Sequence, residues 1–276
     1  MSSFIYFNGS FFPSGTALLT ADNRGFRYGD GLFETIRVRD GHILLSHYHF
    51  DRLMSGVRLL QMGSPFPDLS SLTDTILELC RKNGHLASAR VRLTVFRGEV
   101  GQDDARPDHI LQSWPLEQPG PGLAPQGLVL GVFPDGRKSC DPFANLKSNN
   151  YLIYSMAALY ARQGEWDDCL VLNSWGRVAD TSIANLFYVR KGIIYTPPLS
   201  EGCVGGVMRR RLLEVLPPSD FPIEEKPVTL EDLATAEEVF LTNAIRGIRW
   251  VRGWGGRIYG NKVVEALGKI IHEDIG

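Results

Sequence analysis

Asn145-Leu146-Lys147-Ser148-Asn149-Asn150-Tyr151 places a lysine between an apolar residue and a cluster of small polar side chains, just ahead of a run that reads as a helix. Seven lysines occur in the chain, and most of the others stand in settings that read as solvated. Lys138 and Lys191 read as turn residues, Lys226 lies beside two glutamates, and Lys262 and Lys269 fall on a C-terminal helix. A lone amine in such a setting suits covalent capture of a carbonyl as a Schiff base. The expectation is that Lys147 carries a cofactor and that the rest of the chain builds the pocket around it.

The bulk numbers exclude several classes. The chain has 276 residues, 43% hydrophobic and 22% charged, which is enough for one large domain or two smaller ones with real cores. A formal net charge of -2 gives no electrostatic case for nucleic acid. No apolar run approaches the ~20 residues that span a bilayer, and Met1-Ser2-Ser3-Phe4-Ile5 has no basic region ahead of an apolar core. Cys80, Cys140, Cys169 and Cys203 are scattered, with no metal-binding spacing, and read as reduced thiols of a cytoplasmic protein.

Outward from the lysine, the first half opens with two short strands, 4–8 and 17–20, around Asn8-Gly9. Tyr28-Gly29-Asp30-Gly31-Leu32-Phe33-Glu34 follows as a glycine-rich loop folded closely over something. Helices are expected over 46–62, with Ser46 as N-cap, and over 68–83. Arg52 lies about 200° from Phe50, off the apolar stripe of the first helix. Residues 89–96 alternate as a strand that places Arg90 and Arg92 on one face, a rigid anion clamp if that face lines a cleft. Residues 97–110 read as a surface loop. Three prolines and two glycines in the stretch from Pro119 to Pro125 mark a linker over 118–125, dividing domain 1–117 from domain 126–276.

In the second half, a strand over 128–132, a helix over 149–162 and further strands are expected, with Asp180-Thr181-Ser182 as a polar interruption. Gly202 to Gly206 lead into a helix, whose free N–H groups and positive dipole end suit a phosphate. The strand 239–243 ends in a polar turn at Asn243-Ala244. An amine, a phosphate nest, paired arginines and a carboxylate together are the parts that pyridoxal 5′-phosphate requires.

These motifs, with Leu146-Lys147-Ser148, Asn185-Leu186-Phe187 and Thr196-Pro197-Pro198 through Gly206-Val207, resemble the fold-type IV pyridoxal-phosphate enzymes. That family holds D-amino acid aminotransferases, branched-chain aminotransferases and aminodeoxychorismate lyases. The resemblance implies an α+β (α/β) two-domain fold, with a smaller N-terminal α/β domain and a larger, barrel-like C-terminal domain. It also implies a homodimer with the cofactor between the domains. By the same resemblance Lys147 is the cofactor lysine, Arg52 the phosphate-binding arginine, Val207 and Met208 backbone donors to phosphate, and Asn243 with Ala244 the second phosphate-side turn. Asp180 stands where the family has glutamate at the ring nitrogen. It is one methylene shorter, so either the backbone approaches more closely or water bridges the gap. Arg27, Arg90 and Arg92, with Phe33, fall on the substrate side. Arg90 stands where branched-chain enzymes carry tyrosine, and Arg27 with Arg90 would trap a second carboxylate. The expected activity is transfer of an amino group between a D-amino acid and 2-oxoglutarate or pyruvate. Aminodeoxychorismate lyase, a branched-chain L-amino acid aminotransferase and a scaffold without catalysis are the alternatives.

Overall fold

In a computed structural model, which describes residues 4–99, 107–117, 126–216 and 221–274, the chain divides into two compact units. The first takes residues 1–119 together with the short segment 147–150; the second takes 120–146 and 151–276. The 118–125 linker expected from composition lies outside the described residues.

The first unit is a six-stranded antiparallel sheet with helices. Its elements are β1 (Phe4–Phe7), β2 (Ser10–Pro13), α1 (Arg24–Tyr28), β3 (Gly31–Arg39), β4 (His42–Ile43), α2 (Ser46–Leu59), α3 (Leu69–Asn83), β5 (Ser88–Phe96) and β6 (Asp108–Pro115). The strand order is β2-β1-β6-β5-β3-β4. Alternation along β5 buries Ala89, Val91, Leu93 and Val95 and leaves Arg90 exposed, as a half-buried strand requires. Asp68 caps α3 by accepting from the Ser71 N–H, and Gly84, at φ 71°, ends it.

Several expectations shift here. Asn8 and Gly9 both have positive φ and turn the chain at once, so the return strand is 10–13, not 17–20. The glycine-rich loop contains one helical turn, α1, capped by the Asn23 side chain and closed by Gly29. Leu45, at φ 55°, is the cap of α2, and Ser46 is its first helical residue. The loop expected over 97–110 gives way to β6 from Asp108, while Arg106 lies outside the described residues.

The second unit holds β7 (Leu128–Lys138), α4 (Leu152–Gln163), β8 (Asp168–Asn173), β9 (Val178–Thr181), β10 (Asn185–Arg190), β11 (Ile193–Thr196), α5 (Val207–Val215), β12 (Ile223–Glu225), α6 (Leu230–Ala234), β13 (Glu238–Asn243), β14 (Gly247–Trp254), β15 (Arg257–Ile258) and α7 (Lys262–Asp274). Its mixed sheet runs β12-β11-β10-β13-β14-β7-β8-β9, with β15 paired to β14. The sheet curls: Val178 of β9 bridges Val228, three residues beyond β12, which draws the two ends of the strand order together. Leu170, Leu186, Tyr188, Val239 and Val251 are fully or almost fully buried in its core.

Two corrections bear on the site. The strand expected over 128–132 continues through Pro134-Asp135-Gly136 to Lys138, with a register shift against β8 between Val132 and Arg137. Lys138 is therefore a buried strand residue, not a solvated turn residue. Asp180 and Thr181 belong to β9, so the polar interruption is itself a buried strand.

Candidate active site

The candidate residues fall into two groups, one in each unit. In the first unit, Lys147 is held by backbone pairing. The Phe33 N–H donates to the Lys147 carbonyl at 2.9 Å, the Asn149 N–H donates to the Gly31 carbonyl at 2.9 Å, and Leu32 bridges Ser148. The segment 147–150 thus runs alongside the start of β3, which is why α4 begins at Leu152 and not at 149. The fit needs the glycines. A Cβ on Gly31 would lie 2.4 Å from the Val95 carbonyl and 2.6 Å from Asn149 Nδ2; one on Gly29, at φ 65°, would lie 2.7 Å from Asn150 Oδ1.

The Lys147 ammonium stands 4.3 Å from the centre of the buried Phe33 ring, and the Arg92 guanidinium stands 4.0 Å from the same centre. Phe33 pairs with Thr94 and Thr35 with Arg92, so Arg92 is one step along the face from Phe33 and Arg90, opposite Arg37, is a step farther. Arg90 is exposed and stacks on Trp114 at 4.9 Å. Arg27 is exposed, pairs with Asp22 at 2.8 Å and donates through Nε to the Ala21 carbonyl. Of the three arginines singled out for substrate, Arg92 is the one that shares the Phe33 ring with Lys147.

On the other face of β3, Glu34 is buried and accepts from His49 Nδ1 at 2.7 Å and from Arg52 Nε at 2.7 Å, with a second contact from Arg52 Nη2. Burial pushes the Glu34 carboxyl up, but the Arg52 and His49 charges and hydrogen bonds outweigh it and hold it at about 2. Burial also lowers the pKa of His49. The ion pair accounts for Arg52 standing off the apolar stripe of α2. Neither Glu34 nor His49 was singled out from sequence. The signal lay in the Tyr28–Glu34 motif and the His49–Arg52 spacing, which place two basic groups one helical turn apart on α2.

In the second unit, Asp180 is 2% exposed. Its carboxylate accepts from the Tyr154 hydroxyl at 2.8 Å, the Val204 N–H at 2.8 Å and Asn185 Nδ2 at 2.9 Å. Burial pushes its pKa up to about 6, against the pull of Lys138 and these three donors. Asn185 also donates to the Val204 carbonyl at 2.8 Å, tying Asp180 to the segment that enters α5. Gly206 caps α5 with no side-chain hydrogen bond, leaving the first-turn N–H groups, Val207 and Met208 among them, without a side-chain cap. A Cβ on Gly206 would fall 1.8 Å from Asn185 Oδ1. At the end of β13, Asn243 Oδ1 accepts from the Ile245 and Arg246 N–H groups and shapes the turn through Ala244. Tyr154 and Lys138 belong to this cluster and were not expected from sequence. A tyrosine on an apolar helix carries no signal, and Lys138 was hidden by the Pro-Asp-Gly ahead of it. Among the described residues no cluster of ligating side chains could hold a metal ion, and no helix is long and apolar enough to cross a membrane.

The sequence pattern of the family described as Amino-transferase class IV matches residues 31–254. The chain belongs to the class IV aminotransferases. It is 30% identical over 276 residues to a putative branched-chain-amino-acid aminotransferase of Methanocaldococcus jannaschii, covering 98% of this chain and 94% of that protein. It is 31% identical over 254 residues to an aminodeoxychorismate lyase of Vibrio harveyi, covering 90% and 91% of the two chains. Its fold matches the branched-chain amino acid aminotransferase of Escherichia coli at a TM-score of 0.89 and 23% identity, over 100% of this chain and 95% of that one. The fold-type IV architecture implied by the class IV motifs is thus the one observed.

Proposed function

We propose that this class IV aminotransferase exchanges an amino group between an amino acid and a 2-oxo acid, with pyridoxal 5′-phosphate held at Lys147. The observation that supports it most is the placing of the Lys147 amine and the Arg92 guanidinium against one buried aromatic ring, Phe33. The donor set fits the cofactor. There is an amine on a backbone-paired segment, a helix N-terminus with no side-chain cap, a Gly206 position that a Cβ would obstruct, and a buried carboxylate held by three hydrogen-bond donors. When bound, the cofactor supplies an aldehyde for amines and a protonated ring that draws electrons from the substrate Cα.

In this reading Lys147 Nζ holds the aldehyde and moves the proton at the substrate Cα. Arg52, the Val207 and Met208 N–H groups and the Asn243-Ala244 turn bind the phosphate. Asp180 holds the ring-nitrogen proton. Phe33 forms an apolar wall, and Arg92 with Arg90 and Arg27 binds substrate carboxylates, which favours an acidic or keto-dicarboxylic substrate over a purely aliphatic one. The finer assignment is a D-amino acid donor with 2-oxoglutarate or pyruvate as acceptor, in a homodimer.

The second reading is elimination of pyruvate from aminodeoxychorismate, and the relative from Vibrio harveyi favours it. A half-reaction screen decides. Purified protein is mixed with D- and L-amino acids, branched-chain ones included, and with aminodeoxychorismate, and the bound chromophore and released pyruvate are followed. Conversion to the amine form with a D-amino acid supports the favoured assignment. Conversion with L-amino acids alone overturns the D configuration, and pyruvate release without conversion overturns transamination. Arg92→Leu and Arg90→Leu are each expected to raise the KM for 2-oxoglutarate by roughly 10- to 100-fold, the loss of one charge-assisted hydrogen bond. Cofactor affinity should be unchanged, and unaltered keto-acid kinetics remove that arginine from the site.

A further inference from the structure

Lys138 ends β7 at 8% exposure. Its ammonium donates to the Ala144 carbonyl at 2.7 Å and stands 5.0 Å from the centre of the Tyr154 ring. Among the described residues no carboxylate approaches it within ion-pair distance. A buried ammonium with one hydrogen bond is costly, and a methionine or leucine of similar volume would fill the site without that cost. Its position has a recipient: the Tyr154 hydroxyl donates to Asp180 at 2.8 Å. The ammonium, the ring and the carboxylate therefore form one buried series within the second unit.

We propose that Lys138 is a positioning residue for Asp180, acting by its charge and through Tyr154 to keep this short carboxylate ionised and aimed. The inference rests on the assignment of Asp180 to the ring nitrogen of the cofactor. The groups facing Asp180 are Lys138 from β7, Tyr154 from α4, Asn185 from β10, and Cys203 with the Val204 N–H from the segment before α5. Lys138 is the cation among them, and it opposes the effect of burial on Asp180. Burial lowers the pKa of Lys138 itself, while the Asp180 and Asp141 charges and Cys203 and Cys140 favour its charged form. Tyr154 keeps its proton, because burial and the Asp180 charge raise its pKa well above the usual phenol value. It can therefore only donate to the carboxylate.

The test reads the ionisation of Asp180 directly. The infrared carbonyl band of its protonated form, assigned by its loss in Asp180→Asn, is followed against pH in the full-length chain before and after addition of pyridoxal 5′-phosphate. Lys138→Met should move the midpoint upward by about one pH unit or more, as expected for loss of a nearby charge of opposite sign. Lys138→Arg should restore it, and Tyr154→Phe should move it the same way by less. Midpoints that stay together in Lys138→Met and Tyr154→Phe overturn the inference and leave the cofactor assignment intact. In the wild type, added cofactor should lower the midpoint, because a protonated ring nitrogen beside Asp180 favours its charged form. If the cofactor moves nothing while Lys138→Met still does, the assignment of Asp180 to the ring nitrogen falls, and the role of Lys138 toward the cofactor falls with it.

Discussion

Arg52 owes its orientation to Glu34, a carboxylate on the neighbouring strand that also accepts from His49. Removing that charge while leaving its shape should strand a guanidinium and a histidine together. Glu34→Gln is expected to cost roughly 3 kcal/mol in denaturant unfolding, the range found when one partner of a buried pair is lost. The pH dependence has a definite sign. The Glu34 carboxyl is lowered from 4.5 to about 2, so its contribution is complete above 4.5 and is lost as pH falls toward 2. The wild type should therefore lose its advantage over Glu34→Gln across that window, which stability curves at several pH values would measure. At Lys147, borohydride reduction of the cofactor-loaded protein followed by peptide mass mapping should label this lysine, and Lys147→Ala should lose both label and turnover. A label on Lys138 in the wild type would move the assignment there. The sequence singles out Lys147 because a lysine among small polar residues is unusual. It hid Lys138, because burial of a strand end depends on which strands flank it.

The entry to α5 concentrates the demands on single elements. Gly206 is where the helix begins, where Asn185 packs and where Asn185 in turn holds Asp180. Gly206→Ala should displace the Asn185 amide and weaken cofactor affinity roughly tenfold, the loss of one hydrogen bond to a charged group. Titration of the bound chromophore checks this, and unchanged affinity would mean that Asn185 moves aside freely. The glycine approach to this helix was visible in sequence because glycine before a helix marks a backbone that must come close to something. Element boundaries were less visible where pairing partners decide them. β6 carries aromatic and polar residues without a clear break from the preceding loop, and it forms because β1 and β5 flank it on either side. The start of α4 is delayed because the segment 147–150 is pairing with β3.

For the whole molecule, both compact units leave large apolar side chains in water. On α4, Leu152, Met156 and Leu159 are 74%, 43% and 37% exposed at a spacing of four and three residues, one helical face. In the first unit Phe26 and Tyr28 of α1 are 75% and 62% exposed. Such a stripe is what a homodimer would cover. Leu152→Glu combined with Met156→Lys should give a monomer by sedimentation while leaving the unfolding of the chain cooperative, and an unchanged mass would place any interface elsewhere. The proline-glycine stretch that suggests a division lies outside the described residues, and the sequence does not show that residues 147–150 return to the first unit. That return limits how such a protein can be taken apart or recombined. A fragment ending at residue 117 would lack the amide and carbonyl that Asn149 and Lys147 present to β3, and a crossover at the linker would join a β3 from one parent to a lysine segment from the other. The N-terminal half and Lys147 are therefore expected to descend together, although more than a hundred residues of sequence lie between β3 and that lysine.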